Sequence, residues 1–139
     1  MTPALPPGAG TAMKAGDSRY FRLWQGVGVL LVLAVCVLSL APTVPPPPGT
    51  HGDKVEHLIA YGSLTYWWGM LYPQCVQRWL ACLLFIVMGV ALEFAQQATG
   101  YRVLDAFDMA ANAVGALLGR VAVETPFGRL IGVLDKRLA

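Results

Sequence analysis

Five of the eight acidic residues, Asp53, Glu56, Glu93, Asp105 and Asp108, lie inside or at the edges of apolar stretches, in company with His57 and Arg102. A carboxylate within an apolar segment is costly unless it is paired, hydrogen-bonded, protonated or wetted, so Glu93 and Asp108 are better candidates for function than for packing. Carboxylates near a low-dielectric region tend to hold their protons, which suits acid-base work. In that chemistry Glu93 or Asp108 acts as general base, His57 as acid or proton carrier, and Arg102 holds a phosphate. The chain carries no nucleophile motif and no recognised metal-ligand spacing. No cofactor and no metal is therefore expected, and the residues leave open whether the protein is an enzyme.

Spacing sorts these residues into stripes. Asp105, Asp108, Asn112, Gly115 and Gly119 recur at i, i+3, i+7, i+10 and i+14, one face of a helix. Asp53, His57, Tyr61 and Leu64 form a second stripe, and Glu93 with Gly89 and Gln96 or Gln97 a third. Three helices are thereby predicted to turn polar groups toward one another. Ala111, Gly115 and Gly119 also form a small-xxx-small ridge that lets another backbone approach closely. Several members have structural readings. Asp53 with Glu56, and Asp105 with Asp108, have capping-box spacing, Lys54 and Tyr61 suit interfacial anchors, and Asn112 and Gln96 suit network members that set helix register.

The elements that must position these residues are helices in lipid. Hydrophobic residues make up 56% of the 139-residue chain and charged residues only 13%, too apolar for an ordinary soluble domain and long enough for one domain. A net charge of +2 spread along the chain excludes a phosphate-neutralising surface, so nucleic acid is not an expected partner. Cys36, Cys75 and Cys82 have no CxxC spacing and read as small buried hydrophobes.

The predicted fold class is all-α: an integral membrane bundle of four transmembrane helices plus a C-terminal amphipathic interfacial helix. Residues 1–19, rich in Pro, Gly, Ala and Thr, read as a disordered cytoplasmic tail. The four-helix domain covers 20–124, with spans at about 21–41, 55–72, 79–97 and 105–123. Pro42 after Ser39, Leu40 and Ala41 would hinder signal-peptide cleavage, so the first span is expected to stay as an anchor. Pro45 to Pro48 form a stiff polyproline spacer, and Pro73 a tight turn between spans two and three. In 125–139, Thr125 and Pro126 cap a helix that sets Phe127, Leu130, Ile131, Leu134 and Leu138 against Arg129, Lys136 and Arg137.

Positive charge orients the bundle. One side holds Lys14, Arg19, Arg22, Arg78, Arg120, Arg129, Lys136 and Arg137, the other only Lys54 and Arg102, which places the N- and C-termini in the cytoplasm. The acids then collect near the outer surface. At 1.5 Å rise, His57 lies about 6 Å below Asp53 and Asn112 about 10 Å below Asp105. No acid chain continues through the inner half to make a path for ions.

The run from Asp53 to Gly119 resembles the VanZ-like membrane protein family. The resemblance rests on a block of Asp53, Lys54, His57, Tyr61 and Leu64, followed by Glu93, Gln96, Arg102, Asp105, Asp108, Asn112 and Gly115. It implies a bacterial cytoplasmic-membrane protein of the cell envelope, in a family named for a protein associated with low-level teicoplanin resistance, and that resistance does not transfer to this chain. The expected function is recognition, by an outward-facing polar pocket, of a lipid head group, a lipid-linked precursor or an amphiphilic, glycopeptide-type compound. The pocket residues are Asp53, Lys54, His57, Tyr61, Glu93, Gln96, Arg102, Asp105, Asp108 and Asn112. The alternative is an intramembrane enzyme on a lipid-linked substrate, with Glu93, Asp108 and His57 as candidate catalytic groups. Membrane lipids or a lipid-linked envelope precursor are the expected partners, and the oligomeric state is not legible.

Overall fold

A computed structural model describes residues 20–42, 52–100 and 102–138, all helical or connecting, with no strand among them. The predicted tail at 1–19 and the polyproline segment Pro45–Pro48 lie outside the described residues, as do the side chains of Lys136 and Leu138. The helices are α1 (Phe21–Leu40), α2 (Gly52–Leu71), α3 (Cys75–Ala98), α4 (Ala106–Ala122), a 3-10 turn (Pro126–Arg129) and α5 (Leu130–Leu138).

Local chemistry sets the ends. Ala41 turns extended in front of Pro42, the conformation a following proline imposes, and Pro73 likewise stops α2 at Leu71. Past the end of α3, Gly100 adopts φ 75°, the left-handed conformation in which its N–H donates to Gln97 O at 3.1 Å. Asp105 caps α4, its side chain accepting from Phe107 N at 2.8 Å. Asp53 departs from the capping-box expectation: it lies inside the first turn of α2, where its Oδ1 accepts from Lys54 N at 2.9 Å. Helices two and three also begin earlier than predicted, at Gly52 and Cys75, because Asp53 and Lys54 in one and Gln77 and Arg78 in the other dilute the apolar signal of the first turn.

The closest pairing is α2 with α4. A Cβ on Gly115 would collide with the Leu58 carbonyl oxygen, and one on Gly119 with that of Gly62, so the predicted small-residue ridge is where the two backbones meet. Gly62 faces the ridge from the other side, its own Cβ position 3.2 Å from Gly115 O. Tyr61, Leu64 and Phe85 form the centre of the core, with Val32, Val35 and Trp68 packed against it. α1 is held more loosely, by Trp67 Nε1 donating to Trp24 O at 3.1 Å and Gln25 Nε2 donating to Tyr72 OH at 3.2 Å.

Two helices, α1 and α3, are long and apolar enough to cross a membrane. A third candidate is α4 together with Pro126–Leu134, which is bent by 73°. α2 falls short by composition, opening with Asp53, Lys54, Glu56 and His57, whereas α4, which holds Asp108, Asn112 and Arg120, is by itself only 17 residues long. Large apolar side chains stand exposed on the outer faces, among them Leu30, Leu38, Leu80 and Leu84. Such a surface is that of a protein meant for an apolar surrounding.

At the C-terminal end the predicted amphipathic segment divides into the 3-10 turn and α5. Thr125 and Pro126 occupy the cap and first position as expected, although the Thr125 hydroxyl donates to Ala122 O instead of capping. Ile131 is buried, whereas Phe127 and Leu130 are exposed. Cys82 is buried as predicted, Cys36 is half-buried, and Cys75 is not a buried hydrophobe: it is exposed at the start of α3. There its sulfur meets Arg120, a position set by the early start of the helix.

Candidate functional site

At the N-terminal ends of α2 and α4, Lys54 is the hub. Its ammonium lies 2.9 Å from Asp105 Oδ2, 2.9 Å from Asp108 Oδ1 and 3.4 Å from Asp53 Oδ2. Three N–H bonds thus meet three carboxylates, and Lys54 is a strut joining two helix starts. His57, one turn further along α2, places Nε2 3.7 Å from Asp108 Oδ2. The helical stripes predicted from spacing account for this convergence, since Asp108 and His57 sit on the faces that α2 and α4 turn to each other.

Glu93 approaches from α3. Its Oε1 accepts the Asp105 N–H at 2.8 Å, tying α3 to the loop that launches α4. Its Oε2 is buried and has no hydrogen-bond partner among the described residues, as is true of Asn112 Oδ1. Asn112 packs where Gly89 has no side chain: a Cβ there would stand 2.9 Å from that of Asn112 and 3.1 Å from the Tyr61 ring. Gln96, not the exposed Gln97, is the inward member of the α3 stripe, and its amide donates to Ser39 O at 2.8 Å across to α1.

Beside this network opens a cleft of about 180 Å³ between α1 and α2, lined by Asp53, Glu56, His57, Tyr61 and Arg102 with Val35, Leu38, Ser39 and Ala60. The ten predicted binding residues therefore divide into three groups. Asp53, His57, Tyr61 and Arg102 line the cleft, while Lys54, Asp105 and Asp108 form the ion network behind it, with Glu93 bonded into its loop. Gln96 and Asn112 are buried between helices and do not line the cleft. The α1 wall of Val35, Leu38 and Ser39 was not among the sequence candidates, because an apolar anchor carries no polar signal along its length. Glu56, which looked like a capping partner, lines the cleft instead.

Chemically, His57 and Asp108 face each other at 3.7 Å, beyond direct hydrogen-bonding distance, and the cleft offers charges of both signs. Among the described residues no three His, Cys, Asp or Glu side chains converge in a metal-holding arrangement. At the other end of α2, a second cluster joins α3 to α4: Arg78 Nη1 and Arg120 Nη1 reach Glu124 Oε1 at 3.1 and 2.6 Å. Arg78 Nε also donates to Gly69 O and Tyr72 O, closing the end of α2, and Arg120 lies 4.9 Å over the Trp79 ring. Hydrogen bonding from Arg120 holds the Glu124 carboxyl below the usual glutamate value. No family model matches the sequence, and neither a curated protein nor a solved structure matches it.

Proposed function

We propose that the chain is a VanZ-like bacterial inner-membrane protein that crosses the bilayer four times and recognises the polar head of an amphiphile in the α1–α2 cleft. Support for four crossings comes from where the polar groups of α2 and α4 point. Lys54, Asp108, Asn112 and Arg120 are turned toward neighbouring helices, so two segments too polar to face lipid alone cover each other. The positive-inside count puts both termini in the cytoplasm and the cleft at the outer surface.

The observation that carries the binding reading is the cleft itself, in which charged groups and the apolar side chains of Val35, Leu38 and Ala60 line one cavity. At about 180 Å³ it is smaller than the roughly 300–1,000 Å³ of sites that enclose a whole drug-sized ligand. It suits a head group whose tail runs out along α1, where Leu38 is exposed. Mass spectrometry of the detergent-purified protein tests this: a lipid or lipid-linked precursor co-purifies with the wild type and is lost from Ala60→Phe, which fills the cleft. Equal lipid content in both, at equal thermal stability, refutes the reading.

One observation favours an intramembrane enzyme as second reading, the 3.7 Å approach of His57 to Asp108 beside the same cleft. In a deletion strain complemented with Asp108→Asn, accumulation of a defined envelope lipid that the wild type clears would establish it. An unchanged lipid profile leaves binding.

A further inference from the structure

Two charged side chains of the cleft are uncommitted. Asp53 is engaged by Lys54 and His57 faces Asp108, but Glu56 and Arg102 have no ion-pair or hydrogen-bonding partner among the described residues. They come from different elements, Glu56 from the second turn of α2 and Arg102 from the loop between α3 and α4, and they line the same small cavity without pairing with each other. A carboxylate and a guanidinium left unpaired across one cleft form a complement for a ligand that carries both charges. The guanidinium fork matches phosphate oxygens, and the carboxylate accepts from an ammonium.

Resting on the amphiphile-binding reading above, we infer that the head group is zwitterionic, a phosphate seated on Arg102 and a primary ammonium on Glu56, as in a phosphoethanolamine-type lipid. Asp53 and His57 line the same cavity. Asp53 adds negative potential to the cavity, which the buried Tyr61 also lines, together with Ala60. A purely anionic head would leave Glu56 facing like charge beside Asp53, and a purely cationic one would leave Arg102 unmatched. Val35 and Leu38 continue the cleft onto the apolar face of α1, which favours the lipid over its free head group.

Affinity of the full chain in nonionic detergent, measured by thermophoresis, separates these possibilities with four probes: lysophosphatidylethanolamine, lysophosphatidylglycerol, dodecylamine and free phosphoethanolamine. The expected result is that lysophosphatidylethanolamine binds about tenfold tighter than lysophosphatidylglycerol and dodecylamine, one charge-assisted contact apiece, and at least about tenfold tighter than free phosphoethanolamine, which lacks the apolar tail. Glu56→Gln should erase its advantage over lysophosphatidylglycerol, and Arg102→Gln its advantage over dodecylamine. Neither side chain holds the helices together, so both variants keep the wild-type melting temperature. Equal binding of the three amphiphiles, unmoved by either variant, overturns the zwitterion assignment and leaves amphiphile recognition standing. Free phosphoethanolamine binding as tightly as its lysolipid overturns the lipid assignment in favour of a soluble phosphoamine. Absence of binding by all four overturns both this inference and the reading it rests on.

Discussion

Lys54 brings a single positive charge to three aspartates drawn from two helices, and its removal would leave Asp108, with a side chain only 9% exposed, facing Asp105 without a counter-ion. Lys54→Met is expected to cost about 2 kcal/mol, the scale of a hydrogen-bonded charge lost from a half-buried site. Adding Asp108→Asn should recover part of that loss, because the orphaned charge goes with it; thermal unfolding in detergent reads both. A double variant less stable than the sum of the singles would refute the strut role. Glu93 makes a different case. Its one hydrogen bond among the described residues, from Asp105 N, needs an oxygen and not a charge. Glu93→Gln should therefore unfold within about 0.5 kcal/mol of wild type, whereas Glu93→Ala, which leaves the Asp105 N–H without its acceptor, should lose about 1–3 kcal/mol. Equal losses in the two variants would show that the carboxylate charge itself is required.

Helix α4 is fixed by what it lacks on one face and what it carries at its end. Gly119→Leu must push the α2 backbone away at Gly62, and the expected loss of about 3 kcal/mol should exceed that of any polar substitution in the cleft network. Gly26→Ala in α1 is the control: nothing lies within 4 Å of its Cβ position, so alanine should be neutral or stabilise by up to about 1 kcal/mol through helix propensity. At the far end, Glu124 joins α4 to α3 through Arg78 and Arg120. Its carboxyl is held low in the folded protein, so the stability it contributes is present above the ordinary glutamate value and disappears as pH falls through the folded one. The stability difference between wild type and Glu124→Gln should thus shrink on going from pH 7 to pH 3. A constant difference would mean that the guanidinium contacts do not depend on the charge. These ties also mark how far the sequence could be read. The α4 stripe of Asp108, Asn112, Gly115 and Gly119 was legible, since its period is that of a helix and all four residues are buried. Gly62, which receives the ridge, was not, because a single glycine in an apolar run has no period of its own. In the second cluster Arg120 and Glu124 have the i, i+4 spacing of a helical ion pair, but the arrival of Arg78 from α3 was hidden, for it depends on how the helix ends meet.

Across the whole molecule, the two polar clusters lie at opposite ends of α2, Lys54 and its aspartates at one and Arg78, Arg120 and Glu124 at the other. Apolar side chains cover the outer faces of α1 and α3 between them. By hydropathy α1 and α3 cross and α4 with Pro126–Leu134 is a bent third candidate; if α1 and α3 alone crossed, α2 and α4 would lie on the surface. That arrangement is at odds with the packing: Gly115 and Gly119 press α4 onto α2, so the two must share one environment, and Tyr61 and Leu64 of α2 sit in the core with Phe85 of α3. The two topologies differ in where the start of α3 lies. With four crossings it is cytoplasmic and the α3–α4 loop is outside; with two, α3 runs the other way across the bilayer and both positions exchange sides. Cys75 is an exposed native probe for the first position, and Val103, which is 88% exposed, supplies the second as Val103→Cys. In a background lacking Cys36 and Cys82, a membrane-impermeant maleimide should leave Cys75 unlabelled in intact cells and label it after permeabilisation. The Val103→Cys protein with Cys75→Ser should be labelled from outside without permeabilisation. The reverse pattern would take α2 and α4 out of the bilayer, and with them the outward-facing cleft.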